Sequence, residues 1–184
     1  MSEKRPDPKR LDLRAFTRDA GTLQGELPLA FFQRLAPSLL PGGDGGPAGP
    51  VTWRADGRQR PVRGGVPELW LHLQATAAVV LECQRCLQPM AHALRVDRQL
   101  RFVEGEDEAE RLDEESDDDV LALPPAADLL SLIEDEMILA LPLVPRHESC
   151  PQPMPMAAAD EGAEEEAPHA FAALAHLRRP GPVN

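Results

Sequence analysis

The 184-residue chain predicts an α+β fold: an antiparallel β-sheet, able to curl towards a barrel, with helices packed on it. Two observations lead to this prediction. Every odd position from 69 to 83 is small or apolar, while the even positions include His, Gln, Thr and Glu; this period of two is typical of a strand with one buried face. Beyond residue 128, apolar side chains recur instead at helical spacing.

The alternation resumes after a short polar connection, at Met90, Leu94, Val96 and Leu100. Two alternating runs on either side of a tight connection predict a long antiparallel hairpin, because each run offers one apolar face to the same core. The segment CQRCLQP, residues 83–89, then forms the tip of that hairpin.

Shorter elements are expected before the hairpin. Residues 11–29 predict one or two short strands, and residues 30–40 a short helix. We expect a second hairpin over residues 51–63 that turns at Asp56-Gly57, because this dipeptide suits the positive φ of a type I′ turn.

After the hairpin, residues 120–123 predict another short strand. Asp128 is a good N-cap for a helix that Pro142 ends. The acidic triplet of this helix, at positions 134–136, predicts a solvated helix face, since adjacent residues point about 100° apart and do not form an acid–base pair.

Charge is unevenly distributed along the chain, whose net charge is −12. Residues 104–119 contain eleven acidic side chains and one Arg, and residues 160–166 contain five more acids. Outside these two runs, basic residues outnumber acidic ones. Acidic runs are typically solvated and disordered, or they mimic nucleic acid beside a basic body.

These patterns predict one domain with flexible ends. Residues 1–10 are expected to form a disordered arm, residues 11–150 a single α+β domain with an acidic loop at 104–119, and residues 151–184 a flexible tail with a short amphipathic segment at 171–179. No apolar run approaches the roughly 20 residues that span a bilayer. No signal-like segment follows the charged start, so we expect a cytoplasmic protein without a membrane partner.

Three cysteines and one histidine form the candidate site. Cys83 and Cys86 lie one turn apart, the spacing of a zinc knuckle, and His147 and Cys150 supply a second pair, which completes a Cys3His set. If the helix that ends near Pro142 packs on the sheet, the second pair returns to the hairpin tip.

Two other interpretations of the cysteines stay open. Cys83 can simply be the last inward side chain of its strand, with Cys86 in the turn. A redox role is the less favoured of the two, because a hairpin tip offers no helix N-terminus to lower the pKa of a thiol.

Basic side chains offer a candidate RNA surface, since Lys and Arg contacts to phosphates dominate nucleic-acid affinity. The candidates near the N-terminus and on the expected second hairpin are Arg10, Arg14, Arg54, Arg58, Arg60 and Arg63. An evenly solvated surface is an equal alternative, because stacking aromatics are scarce. Motifs of phosphate-binding loops, zinc proteases and serine hydrolases do not occur, and we expect neither catalytic residues nor a small-molecule substrate.

Three segments resemble the signature segments of the YceD family. They are ECQRCLQPM (82–90), IEDEMILALPLVPRHESC (133–150) and the terminal HAFAALAHLRR (169–179). The resemblance extends through LDLRAF and GELPL near the N-terminus. The chain departs from the family pattern at His169 and Ala170, where the family has Asn and Pro.

The resemblance implies a non-catalytic role in the synthesis, processing or stability of 23S ribosomal RNA, and hence in large-subunit assembly. Its implied partners are pre-ribosomal 23S RNA, large-subunit ribosomal proteins or enzymes that process the RNA. It also strengthens the joint use of the four candidate zinc ligands, because the segments that carry them occur together. The alternatives are an RNA-processing or RNA-modifying enzyme, or a zinc-stapled module that binds a ribosomal protein.

Overall fold

The computed structural model describes residues 6–41 and 49–151. Its helices and strands, in chain order, are α1 (Leu13–Arg18), β1 (Thr22–Leu27), β2 (Val51–Arg60), β3 (Glu68–Glu82), β4 (Pro89–Val103), α2 (Glu106–Glu115), β5 (Asp119–Ala122) and α3 (Leu129–Leu139). Two short 3-10 turns, Leu29–Phe31 and Ala36–Ser38, lie between β1 and β2. None of the helices in these residues is long and apolar enough to cross a membrane.

The five strands form one sheet in the order β1-β2-β3-β4-β5. The first four pair antiparallel, and β5 pairs parallel with β4. The α+β class is therefore confirmed. The sheet is mixed rather than wholly antiparallel, and within the described ranges it stays open, with β1 and β5 at its edges.

The long hairpin is confirmed. Strands β3 and β4 pair from Leu69↔Phe102 to Glu82↔Pro89, so the two alternating sequence runs face each other as expected. The odd positions of β3 point to one face, where Leu71 is fully buried. Burial of a Leu side chain contributes roughly 1.5–3 kcal/mol, and this row supplies much of the hydrophobic core.

Two helices cover the buried face of the sheet. Helix α1 packs against β2 and β3, and α3 packs against β3 and β4. Ile133 and Met137 of α3, one helical turn apart, are fully buried. On the opposite face, which we call the open face, polar side chains of β1–β4 line a shallow trough of about 800 Å³.

The N-terminal segment differs from expectation in two places. Residues 13–18 form helix α1 instead of a strand, because the Asp12 carboxylate caps it at Ala15 N and both Leu13 and Phe16 are buried. Residues 30–40 do not form a helix. The amide groups of Arg34 and Leu35 donate to the Glu134 carboxylate of α3 instead of to helical carbonyls.

The expected second hairpin is wrong. Residues 51–60 form one continuous strand, with Asp56 and Gly57 in its middle. Gly57 lies where the Phe16 ring crosses the strand, and a Cβ atom there would lie 2.6 Å from Phe16 Cδ1. The glycine therefore allows a close approach and does not make a turn.

The acidic segment is not the loop that its composition predicts. It forms helix α2, in which the Arg111 guanidinium bonds Glu108 on one side at 2.7 Å and Glu115 on the other at 2.6 Å. Ala109 of the same helix is buried. Carboxylates also fill the first turn, where the helix dipole favours negative charge.

Part of the predicted disordered arm contacts the domain. The carbonyl of Pro8 accepts a hydrogen bond of 2.8 Å from the amide of Leu129, the first residue of α3, and Leu11 bridges Ala127. Residues 1–5 and 152–184, including the amphipathic segment at 171–179, lie outside the described residues. The division into arm, domain and tail stays a prediction.

The acidic triplet of α3 is not a solvated face. Glu134 is buried, and its Oε1 accepts hydrogen bonds from the amides of Arg34 at 2.6 Å and Leu35 at 3.1 Å. Its Oε2 accepts from Arg34 Nε at 3.0 Å. Asp135 accepts from the same guanidinium, and Glu136 pairs with Arg98 of β4 at 3.3 Å. The triplet therefore ties α3 to the segment after β1 and to the sheet.

The pKa values of Glu134 and Glu136 are shifted in opposite directions. Burial by itself raises the pKa of Glu134, but the amides of Arg34 and Leu35 and the Arg34 guanidinium outweigh it and lower the pKa. For Glu136, burial raises the pKa, and Asp119 adds to that rise while Arg98 opposes it. Relative to the unfolded chain, folding thus favours the charged form of Glu134 and disfavours the charged form of Glu136.

We therefore expect Glu134→Gln to lower the free energy of unfolding by about 2 kcal/mol at pH 7, because hydrogen bonds to a buried charge are lost. A depressed pKa contributes stability above the unfolded value of about 4.3. The difference from the unsubstituted protein should therefore shrink as the pH falls through the lower folded pKa. Urea unfolding at several pH values measures it.

The matched variant is Glu136→Gln. Because folding disfavours the charged form of this side chain, the variant should lie within about 0.5 kcal/mol of the unsubstituted protein at pH 7. Equal losses of stability in the two variants would contradict the separate roles of the two carboxylates.

Candidate metal centre

The first two cysteines lie in a tight turn at the tip of the β3–β4 hairpin. The amide of Cys83 donates to the carbonyl of Gln88 at 3.0 Å, and the amide of Leu87 donates to the carbonyl of Cys83 at 2.8 Å. Leu87 has a φ of +57°, a left-handed conformation that reverses the chain. This turn buries both sulfur-bearing side chains, Cys83 completely and Cys86 almost so.

The second half of the site returns to this tip after α3 ends. The carbonyl of Pro145 accepts a hydrogen bond from the amide of Gln84 at 2.8 Å. Two residues later, the amide of His147 points at Cys83 Sγ, 3.4 Å away. The chain after α3, residues 140–150, is therefore held against the hairpin tip by its backbone, which allows the four side chains to meet.

The four predicted ligands come together. Their ligand atoms all lie within 4.8 Å of one another. Cys83 Sγ lies 3.8 Å from Cys150 Sγ, and Cys86 Sγ lies 3.4 Å from His147 Nδ1.

These separations fit a single tetrahedral ion. Two sulfur atoms that each lie about 2.3 Å from one zinc ion, at a tetrahedral angle, are about 3.8 Å apart. A sulfur and an imidazole nitrogen on the same ion are slightly closer, because the metal–nitrogen bond is shorter. The residues present therefore fit a closed Cys3His zinc site, which would supply a structural cross-link and no open position for a substrate.

The surroundings of Cys83 favour the thiolate form of its side chain. Burial raises the pKa of the Cys83 thiol, but the backbone amides of His147, Arg85 and Cys86 donate to the sulfur and lower the pKa to about 5. For Cys86, burial raises the pKa. Cys83 is therefore a thiolate at neutral pH, the form that binds metal.

None of the three cysteines forms a disulfide. The first two follow a strand within a hairpin, so the described structure provides no helix N-terminus at the CxxC motif, as expected. Cys83 directly follows β3 and is buried like the inward-facing residues of that strand, so the simple packing role and ligation are compatible. What packing alone leaves unexplained is the convergence of His147 and Cys150 on the same point.

The six arginines proposed as an RNA surface are not brought together as one cluster. Arg54, Arg58 and Arg60 occupy alternate positions of β2 and point to the open face. Arg54 bonds Asp56 at 2.7 Å, and the Arg60 guanidinium stacks on the Trp70 ring at 3.7 Å.

The other three candidates lie elsewhere. Arg14 of α1 is paired with Glu104. Arg10 precedes the Leu11 bridge to Ala127, and Arg63 lies exposed in the connection between β2 and β3.

Sequence reasoning missed three arginines that the fold positions. Arg95 and Arg101 of β4 share the open face with the arginines of β2, and Arg101 pairs with Glu68 at 2.9 Å. Arg85, between the two hairpin cysteines, contacts Cys150. The alternation of β4 could have identified the first two, whereas no spacing signal identifies Arg85.

Fold and site together define a class: a two-layer α+β protein whose longest hairpin carries half of a Cys3His ligand set. The chain belongs to the YceD family, since the sequence profile of that family, described as large ribosomal RNA subunit accumulation protein YceD, matches residues 71–178. This range contains both cysteine segments.

A curated relative with the same description comes from Haemophilus influenzae and is 41% identical over 71 residues. That alignment covers 39% of this chain and 41% of the relative, so less than half of the relative's length is matched. No solved structure matches the chain.

We expect the protein, purified without added metal, to contain one zinc ion per chain, which elemental analysis measures. Cys150→Ser should remove most of it, because a thiolate ligand is lost from a four-coordinate site. Ser149→Ala is the matched control and should retain the metal. Protein free of metal that melts at the same temperature with and without a chelator would contradict the site.

Proposed function

We propose that this protein acts without catalytic activity of its own in the accumulation of large-subunit ribosomal RNA, through the synthesis, processing or stability of 23S RNA. The family match over residues 71–178 is the observation that carries the proposal. The description of the Haemophilus influenzae relative supports it. The chemistry of the candidate site agrees, because a closed Cys3His set favours a structural role over catalysis.

The metal in this proposal is a zinc ion held by Cys83, Cys86, His147 and Cys150. Its role is to fasten the chain after α3 to the hairpin tip. The 3.8 Å between Cys83 Sγ and Cys150 Sγ and the 3.4 Å between Cys86 Sγ and His147 Nδ1 support this assignment, as does the burial of both hairpin cysteines.

The proposed RNA contact lies on the open face. Arg58 and Arg60 of β2 are exposed there, and Arg95 of β4 is exposed on the same face two strands away. Phosphate groups are the natural partners of such side chains. Arg54 and Arg14 are weaker candidates, because carboxylates of the protein already engage them.

A ribosomal protein or a processing enzyme is the second candidate partner. Helix α2 favours it, because its exposed carboxylates form an acidic face that a basic ribosomal protein would complement. The same helix stands near the carboxyl end of β4 and would repel RNA there.

Deletion of the gene should lower the ratio of 23S to 16S RNA in the cell, and expression of the unsubstituted chain should restore it. RNA gels and primer extension of the 23S ends measure both abundance and processing. A normal ratio with normal 23S ends in the deletion strain would overturn the proposal. Purified protein that cleaves or modifies precursor RNA by itself would instead establish the enzymatic alternative.

For the RNA contact, the double variant Arg58→Gln, Arg60→Gln should bind labelled 23S fragments more weakly than the unsubstituted protein. The plot of log affinity against log salt has a negative slope, and each lost phosphate contact should make that slope less steep by about 0.7 for single-stranded RNA. Fluorescence anisotropy at two salt concentrations measures both effects. The control Arg18→Gln should change neither, since Asp19 already pairs with that guanidinium at 2.9 Å. Absence of binding at low salt would move the role to a protein partner.

A further inference from the structure

Arg85 connects the two halves of the candidate metal centre. It lies between Cys83 and Cys86 in the sequence, yet its side chain reaches His147 and Cys150 in the segment after α3. Its Nε donates to Cys150 Sγ at 2.9 Å, and one terminal nitrogen donates to the carbonyl of His147 at 3.1 Å. One guanidinium thus holds a ligand sulfur and the backbone of a second ligand residue.

Cys150 depends on this contact more than the other sulfurs depend on theirs. Cys83 and Cys86 are buried in the hairpin turn, whereas Cys150 is partly exposed. The sulfur of Cys150 lies 3.8 Å from Cys83 Sγ and accepts a hydrogen bond of 2.9 Å from Arg85 Nε. The backbone hydrogen bonds that hold this segment against the hairpin are made by Pro145 and His147, which precede Cys150 in the chain.

The charge of Arg85 also suits this position. Three thiolates and one neutral imidazole around a divalent ion leave one net negative charge, and a guanidinium beside the sulfurs offsets it. A hydrogen bond into a thiolate lone pair makes that sulfur less available to an electrophile or a competing chelator.

We propose that Arg85 is a positioning residue that holds Cys150 in the metal centre and protects its sulfur. We call this contact between Arg85 and Cys150 the latch. This inference rests on the zinc site of the proposed function. The latch sets how slowly the ion leaves and how little Cys150 reacts. A planar guanidinium can bond a sulfur and a carbonyl together, which a lysine ammonium at the same position does less well.

The experiment compares the zinc-loaded full chain with the variants Arg85→Gln and Arg85→Lys, and with Arg146→Gln as a matched control. Arg146 is exposed, adjoins His147 and forms no ion pair among the described residues. Transfer of zinc to a chromophoric chelator should be about 10–100-fold faster in Arg85→Gln, if the usual 10–100-fold loss of metal affinity on removing a partner that orients a ligand appears in the rate at which the ion leaves. Arg85→Lys should be intermediate, and Arg146→Gln should stay within about twofold of the unsubstituted rate.

A second measurement separates the latch from general destabilisation. Alkylation by N-ethylmaleimide, mapped by mass spectrometry, should become faster at Cys150 than at Cys83 or Cys86 in Arg85→Gln. An equal increase at all three thiols would indicate loss of folding and overturn the latch.

Unchanged zinc transfer in a zinc-loaded Arg85→Gln protein would also overturn the latch but leave the zinc site standing. Unsubstituted protein that binds no zinc would overturn both. Neither result would bear on the accumulation of 23S RNA, which the deletion strain tests by itself.

Discussion

The register of the β3–β4 ladder is the constraint on which the rest of the structure depends. Side chains alternate across a strand, so a slip of one residue would move the whole apolar row of β3 from the core to the open face. It would also turn Cys83 outward, away from the point that His147 and Cys150 reach. The core and the candidate metal centre therefore share one determinant, the pairing that ends at Glu82↔Pro89.

The second anchor is α3. The Asp128 side chain caps its first turn, and Glu134 fastens it to the amides of Arg34 and Leu35. Because α3 is fixed at both its capped end and its middle, the segment that follows it leaves towards the hairpin tip from a defined position. The metal ligands of that segment are thus positioned by hydrogen bonds far from the ion they would hold.

Much of this could be predicted from local patterns. Period-two alternation gave β3 and β4, helical spacing with Asp128 gave α3, and the ligand set followed from residue types. The rest depended on tertiary contacts that leave no local signal. Gly57 resembles a turn residue because the Phe16 ring that requires it is distant in sequence. Likewise, the burial of Glu134 depends on amides a hundred residues away in the sequence. Arg85 contacts its acceptors only when the segment after α3 meets the hairpin tip.

The parallel pairing of β5 with β4 changes what kind of segment α2 is. Antiparallel strands can be joined by a two-residue turn, but parallel strands need a crossover of about a dozen residues or more. The acidic segment between Val103 and Asp119 is that crossover. Geometry therefore sets a minimum length for this segment, whatever its charge. Removing it would detach β5 from the sheet, and neutralising Asp113 would weaken the 3.1 Å hydrogen bond that its carboxylate accepts from the amide of Val120 in β5.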